Sequence, residues 1–193
     1  MEKKNGESTE KALKAAARKL LSANCKDGTE VTARAITKEA GVNLAMINYC
    51  FGSKEALIFE VFKDIQREGF KCKPELAEIM NSDMPPKQKL IERYYQILNL
   101  MLDYFSMSQA VVKFCVFNRG LGNDSTTFAL VKEHFDGKKS DGECMLIAYQ
   151  IASVHELMIL RHEEIKETCG IDLEDRGVLR QIISENIDKL IGE

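Results

Sequence analysis

The 193-residue sequence predicts an all-α protein with a small N-terminal domain and a larger helical C-terminal domain. Apolar residues recur at the i, i+3, i+4, i+7 spacing of one helix face along almost the whole chain. No segment alternates with period two for long enough to indicate a sheet. The chain also has only three prolines, so few positions interrupt a helix.

The first predicted helix carries five apolar residues on one face, Leu13, Ala16, Ala17, Leu20 and Leu21. A turn is predicted at residues 24–30, because Lys-Asp-Gly interrupts the apolar pattern there. A short second helix is predicted at 33–40. Thr32 is its N-cap, and Gly41 supplies the backbone freedom for the turn that ends it.

A third short helix is predicted to begin at Asn43, which caps it, and to end at Gly52. The second and third helices, joined by a tight turn, form a helix-turn-helix over about residues 32–51. Ser53 then caps a longer fourth helix, whose inward face is Leu57, Ile58, Val61, Phe62 and Ile65.

Glycine and three prolines between residues 69 and 86 predict a hinge. We therefore expect one domain at residues 8–68 and a second at residues 69–193. In the second domain, helices are predicted at 87–104, 106–119, 126–135, 142–167 and 173–191.

The composition is that of an ordinary soluble protein, with 45% hydrophobic and 30% charged residues and a net charge of −3. That charge excludes a purely electrostatic nucleic-acid binder. It is divided unevenly, however: residues 1–68 have 12 Lys/Arg and 10 Asp/Glu, whereas residues 69–193 have 15 and 20. The N-terminal part therefore has the sign expected of a region that contacts phosphate.

A cytoplasmic location without membrane contact is predicted. No apolar segment follows the N-terminal charges as in a signal peptide. The longest apolar stretch, residues 144–160, is interrupted by polar side chains and is shorter than a membrane span of ~20 residues. The six cysteines form no C-x-x-C pair and are expected to be free thiols.

The outward face of the third helix is expected to carry Ala45, Asn48 and Tyr49. A helix held in this way can enter the major groove of DNA, which is about 12 Å wide. An asparagine amide both donates and accepts, as an adenine edge requires, and alanine permits close approach to a thymine methyl group.

Residues 41–57, Gly-Val-Asn-Leu-Ala-Met-Ile-Asn-Tyr-Cys-Phe-Gly-Ser-Lys-Glu-Ala-Leu, resemble the signature of the TetR family of bacterial transcriptional regulators. The resemblance of the chain to this family extends over about residues 8–68. The resemblance implies DNA contacts by nine residues: Thr32, Arg34, Asn43, Leu44, Ala45, Met46, Asn48, Tyr49 and Lys54. Cys50 departs from the pattern, because the family usually has histidine or tyrosine there. A thiol is a weak hydrogen-bond donor, so one phosphate contact is expected to be missing.

The C-terminal domain has no pattern that predicts a catalytic residue, a metal site or a cofactor. His155-Glu156 resembles the start of a zinc-protease motif but lacks the second histidine four residues after the first. His155 and His162 lie seven residues apart on one helix face, a spacing more typical of interface or surface residues than of a metal site.

The resemblance implies a cavity for a small molecule among the C-terminal helices. Its expected lining is aromatic and sulfur-containing: Tyr94, Met101, Phe105, Phe114, Phe117, Phe128, Met145 and Tyr149. Residues 144–160 are apolar around most of the helix circumference, so both sides must be covered. Helices 142–167 and 173–191 of two subunits are therefore expected to form a four-helix dimer interface. Such a dimer would set the two reading helices about 35 Å apart on a palindromic site.

These expectations favour a homodimeric DNA-binding repressor that a small molecule releases from its operator. The alternative is a helical sensor or adaptor that does not bind DNA, which the negative net charge and Cys50 favour. A third hypothesis is an enzyme that acts through the cysteines or histidines.

Overall fold

The structure, a computed structural model, describes residues 2–23, 31–71, 74–118, 120–121 and 124–192. The described residues are helical without a β-strand, which confirms the predicted all-α class. The turn predicted at residues 24–30 lies outside them. The described helices are α1 Glu2–Ala23, α2 Ala33–Ala40, α3 Ala45–Phe51, α4 Lys54–Lys71, α5 Pro74–Asn81, α6 Pro86–Asp103, α7 Phe105–Asn118, α8 Ser125–Phe135, α9 Asp141–Leu160, α10 His162–Cys169 and α11 Arg176–Ile191.

The helices form two compact units that do not follow the chain order. One consists of residues 1–68 and 103–117, and the other of residues 69–102 and 118–193. Helix α7 therefore groups with the N-terminal helices, although the sequence analysis assigned it to the C-terminal domain. The roles expected for residues 8–68 and 69–193 stay predictions.

Helix α1 is the support on which α2 and α3 pack. The core of this unit is aliphatic, with Leu13, Ala17, Ile36 and Leu57 fully buried. Ion pairs then join α1 to its neighbours at the surface: Lys19 with Glu39 of α2 at 2.5 Å, and Arg18 with Glu68 of α4 at 2.6 Å. Burial of the apolar faces stabilises the packing, since exposed ion pairs contribute little free energy.

The second unit has its core between α8, α9 and α11. One face of α9 is buried and consists of Cys144, Ala148, Ile151, Ala152, His155 and Ile159. Four residues of α11 at helical spacing are buried with it, Leu179, Ile183, Ile187 and Ile191. This periodicity is the one that the sequence predicts for α11.

The boundaries of several C-terminal helices differ from the prediction. A helix, α5, lies inside the predicted hinge. Pro74 does not prevent it, because proline at the first helical position lacks only an N–H that would have no partner within the helix. The helix predicted at 142–167 is interrupted at Arg161 (φ −113°, ψ 22°), which separates α9 from α10. Helix α11 begins at Arg176, later than predicted, because the Asp175 carboxylate accepts from the backbone N–H groups of Gly177 and Val178.

Helix α9 is long and apolar enough to cross a membrane by length and composition alone. Its apolar stretch at residues 144–160 is shorter than the ~20 residues of a membrane span, which predicts the opposite. A single such helix is weak evidence of a membrane span, because core helices of soluble proteins have the same composition.

Candidate nucleic-acid interface

The helix-turn-helix begins at Thr32, whose extended backbone (φ −84°, ψ 153°) leads into α2. Its hydroxyl oxygen accepts a hydrogen bond from the Ala35 N–H at 3.2 Å, the N-cap predicted for this threonine. The Thr32 side chain is otherwise exposed, so the cap stands at the surface.

The turn between α2 and α3 depends on Gly41, which has a left-handed backbone (φ 68°). The Gly41 N–H donates to the Lys38 carbonyl at 3.3 Å, and the Val42 N–H donates to the Thr37 carbonyl at 3.0 Å. These bonds satisfy carbonyl groups at the end of α2 and reverse the chain within two residues. The Asn43 side-chain oxygen then accepts from the Ala45 N–H at 2.9 Å. The N-cap position of α3 is Leu44 and not Asn43 as predicted, so this bond lies one residue before the cap.

Buried aliphatic side chains fix the orientation of α3. Ile36 of α2 is completely buried and Ile47 of α3 is 2% exposed. Because Ile47 faces inward, the residues about half a turn away on α3, Ala45 and Tyr49, face outward. The short helix is therefore anchored by its core contacts, since seven residues are too few for an isolated helix to be stable.

The outward face of α3 exposes side chains that a protein normally buries. Tyr49 is 81% exposed and Leu44 is 45% exposed. Ala45 and Asn48 are exposed on the same helix, whereas Met46 is half-buried. This surface, which we call the reading face (Leu44, Ala45, Asn48 and Tyr49), offers apolar contact, a hydroxyl and an amide to a ligand.

Two cations on α2, Arg34 and Lys38, are exposed and form no ion pair with a described residue. Lys38 is not among the residues predicted from the sequence, because lysine is common on helix surfaces. The structure shows that the neighbouring Glu39 pairs with Lys19, whereas Lys38 has no ion-pair partner in the part of the chain that the structure describes. Such cations can contact phosphate without reading sequence.

Lys54 begins α4, where Ser53 caps the helix by accepting from the Ala56 N–H at 3.0 Å. The Lys54 ammonium lies 3.6 Å from the Glu55 carboxylate, and its side chain is 18% exposed. A phosphate would therefore compete with Glu55 for this lysine. The positive end of α4 favours the phosphate.

Cys50 is half-buried at the end of α3. Burial raises the pKa of its thiol above the usual value, so the sulfur is protonated and neutral at pH 7. A neutral thiol gives α3 no charge with which to attract phosphate. Cys115, Cys144 and Cys169 also form no disulfide with a described residue, and Cys25 and Cys72 lie outside the described residues.

The residues predicted to line a ligand cavity fall into both units. Phe105, Phe114 and Phe117 belong to the first, and the other five to the second. Tyr94 and Met101 are buried. Phe117 is 84% exposed, which does not favour a place in an apolar cavity. The remaining five are half-buried.

The described residues contain no group of three or more His, Cys, Asp or Glu side chains that could hold a metal ion. The Nδ1 atoms of His155 and His162 lie instead 2.7 Å and 3.1 Å from backbone carbonyl oxygens of their own helix region.

Helices α9 and α10 border an open apolar groove of about 440 Å³ in the second unit. Val154 and Leu157 of α9 line it together with Ile165 of α10. Leu146, Val154 and Leu157 are 52%, 38% and 46% exposed and lie opposite the buried face of α9. We call these three residues the apolar stripe of α9.

Comparisons with known proteins agree with this geometry. Residues 13–61 match the family described as bacterial regulatory proteins, tetR family. A solved structure of a tetR-family transcriptional regulator from Streptomyces coelicolor is similar to the chain. Its TM-score is 0.50 at 16% sequence identity, and the match covers 95% of this chain and 80% of that one. At that identity the likeness supports the fold alone. No curated protein matches the chain in sequence.

The matched residues span the helix-turn-helix, its α1 support and the start of α4. They therefore include the capped turn, the reading face and Lys54 described above. Residues 13–61 therefore form a helix-turn-helix unit of the kind that defines the tetR family of bacterial regulatory proteins.

Proposed function

We propose that the chain is a homodimeric repressor that leaves a palindromic operator when a small molecule binds. The observation that carries this proposal is the reading face, on which Leu44 and Tyr49 are exposed although the core beneath them is well packed. The further DNA contacts of the proposal are Thr32, Arg34, Asn43, Met46 and Lys54.

In the proposed complex, α3 lies in the major groove and Asn48 and Ala45 contact base edges. Thr32, Tyr49 and the cations Arg34 and Lys54 contact phosphate. The two-fold symmetry of the dimer matches the symmetry of the operator, so each subunit reads one half-site.

Dimerisation is proposed through α9 and α11. The apolar stripe of α9 supports this proposal, because exposed leucine and valine side chains on one side of a helix are costly in water. A second copy would cover them and would place two reading faces on one DNA molecule.

The effector is proposed to bind among the helices of the second unit, near Tyr94, Met101, Phe128, Met145 and Tyr149. Binding would shift α4, which follows directly after the helix-turn-helix. A displacement of a few ångströms would prevent simultaneous contact with both half-sites. The protein is proposed to act in the cytoplasm, where its DNA lies.

The experiment is a fluorescence anisotropy titration with duplexes that the protein enriches from a random-sequence library. We expect Tyr49→Ala to weaken binding at least about tenfold, the loss of one good contact. Phe117→Ala is the matched control, because Phe117 is an equally exposed aromatic residue on a different helix, α7. Equal binding by Tyr49→Ala and the unaltered protein would contradict the proposed reading face.

Salt dependence separates this function from a DNA-independent sensor or adaptor. For phosphate contacts, the logarithm of the binding constant falls linearly with that of the salt concentration. We expect Lys54→Ala to reduce the slope by about 1. Failure to enrich any duplex would favour the adaptor.

A further inference from the structure

His155 on α9 is completely buried and has one unsatisfied ring nitrogen. Its Nδ1 lies 2.7 Å from the Ile151 carbonyl oxygen. A carbonyl oxygen can only accept, so Nδ1 carries the proton and Nε2 is an acceptor. Burial lowers the pKa of His155 to about 4, so the ring is neutral at pH 7. Nε2 is shielded from solvent and has no hydrogen-bond partner among the described residues.

The nearest aromatic residue cannot donate to this nitrogen. The Tyr94 ring lies against the imidazole, with centroids 4.9 Å apart and planes inclined by 32°. Its hydroxyl pairs with the Thr127 hydroxyl at 3.2 Å. Thr127 in turn donates its own proton to the Asp124 carboxylate at 2.6 Å, because a carboxylate only accepts. The Tyr94 hydroxyl must therefore donate its hydrogen bond to the Thr127 hydroxyl oxygen.

Asp124 holds this chain of hydrogen bonds in place. Its carboxylate also accepts from the Thr127 backbone N–H at 3.1 Å and from Arg93 at 3.3 Å. Because the Asp124 carboxylate can only accept, the donor direction of both hydrogen bonds is fixed: Tyr94 donates to Thr127, and Thr127 donates to Asp124. A buried acceptor without a donor is destabilising, and leucine or phenylalanine would occupy the position of His155 without that cost.

We propose that His155 Nε2 is the polar anchor of the effector site and accepts a hydrogen bond from the bound molecule. The ligand class is then an apolar, preferably aromatic, molecule that bears an O–H or N–H donor. Carboxylates and phosphates are disfavoured, because a neutral acceptor offers an anion neither a charge nor a proton. This inference rests on the effector site of the proposed function, in which Tyr94 was already expected.

The test uses phenol and two probes of similar size. Toluene lacks a hydrogen-bond donor, and benzoate is an anion. Phenol binding is followed by the ¹⁵N resonance of His155 Nε2 in the full-length protein, whose three histidines give a simple spectrum. We expect the free protein to show an unbonded, unprotonated Nε2. Phenol should shift it in a saturable manner, and toluene and benzoate should not.

His155→Phe keeps an aromatic ring against Tyr94 and removes the acceptor. We expect it to weaken phenol binding about tenfold, the usual effect of one lost hydrogen bond. His162→Phe is the matched control, because His162 is also buried and its Nδ1 also contacts a backbone carbonyl oxygen. It should bind phenol as the unaltered protein does.

Three results would overturn the inference: an Nε2 already bonded or protonated in the free protein, a resonance that phenol leaves in place, or equal shifts with toluene. The spectra of the unaltered protein decide these points even if His155→Phe does not fold. Binding of enriched duplexes by the unaltered protein tests the proposed function separately. DNA binding without a phenol response would reject the anchor alone, and a phenol response without DNA binding would reject the repressor alone.

Discussion

The rings of Phe59 on α4 and Phe114 on α7 are in contact, with centroids 4.9 Å apart and planes inclined by 30°. The two residues are 55 positions apart in the chain, yet both belong to the unit that contains the helix-turn-helix. Helix α4 follows α3 directly, and α7 follows α6, which belongs to the other unit. This contact is therefore a physical connection by which a displacement of α7 would reach α4.

A double-mutant cycle measures this connection. We expect Phe59→Ala and Phe114→Ala to be coupled by about 0.5–1.5 kcal/mol in the free energy of unfolding, the range of aromatic pairs. The measurement is urea denaturation of the two single variants, the double variant and the unaltered protein. Pairing Phe59→Ala with Lys113→Ala, an exposed neighbour of Phe114, provides the control and should give additive effects. Additivity of the two phenylalanine variants would show that the contact does not couple the helices.

Local chemistry explains what the sequence predicts well. The cap at Thr32 and the turn at Gly41 follow from the residue at the position itself and from its near neighbours. The inward face of α11 follows likewise from apolar periodicity. These features do not depend on the rest of the chain, so one sequence is sufficient to find them.

The features that the prediction missed depend on distant contacts. No glycine or proline marks the interruption at Arg161, and nothing local in the α7 sequence places it with the N-terminal unit.

Any residue other than glycine at position 41 should lower the free energy of unfolding, because it would have to adopt a left-handed backbone. A Cβ atom at this position would meet no atom within 4 Å, so only the left-handed backbone (φ +68°) opposes substitution. We expect Gly41→Ala to lower the free energy of unfolding by about 1 kcal/mol, and Gly41→Asn to lower it less, because asparagine tolerates this conformation. Thermal denaturation of both variants checks the order. Equal losses would indicate that the backbone conformation is not the cause.

Cys50 offers a gain-of-affinity test of the missing phosphate contact. Its neutral thiol is a weak donor. We expect Cys50→His to tighten binding of enriched duplexes about threefold to tenfold, the effect of one added hydrogen bond. Cys50→Ala, which adds no donor, should leave the affinity unchanged in the same anisotropy titration. An equal gain with alanine would assign the effect to packing of α3.

Stability should depend on the protonation of His155 in acid. Its pKa falls from 6.5 to about 4 because burial disfavours the charged ring. Between these values the unfolded state binds a proton that the folded state excludes, so stability is lost as the pH falls from about 6.5 to 4. The full effect corresponds to about 3 kcal/mol.

Urea denaturation at pH 7.5 and pH 4.5 measures this effect as a difference between proteins, since carboxylates also titrate in this range. His155→Phe should lose less stability on acidification than the unaltered protein does. His134→Phe provides the control and should retain the full loss, because His134 is only partly buried. An unchanged pH dependence in His155→Phe would mean that the imidazole is not the neutral, buried group described above.

The apolar stripe of α9 predicts how the proposed dimer would be broken. An aspartate at Leu157 would be buried against the partner without a countercharge, and desolvation of that charge opposes association. We expect Leu157→Asp to weaken dimerisation about 100-fold or more, measured by sedimentation velocity over a concentration series. Leu121→Asp is the control, because Leu121 is 55% exposed in the turn before α8 and lies outside the stripe. A monomeric unaltered protein, or a dimer that tolerates Leu157→Asp, would place any self-association on another surface. If the dimer tolerates Leu157→Asp but dissociates with Leu121→Asp, the interface includes the turn before α8 instead of the apolar stripe.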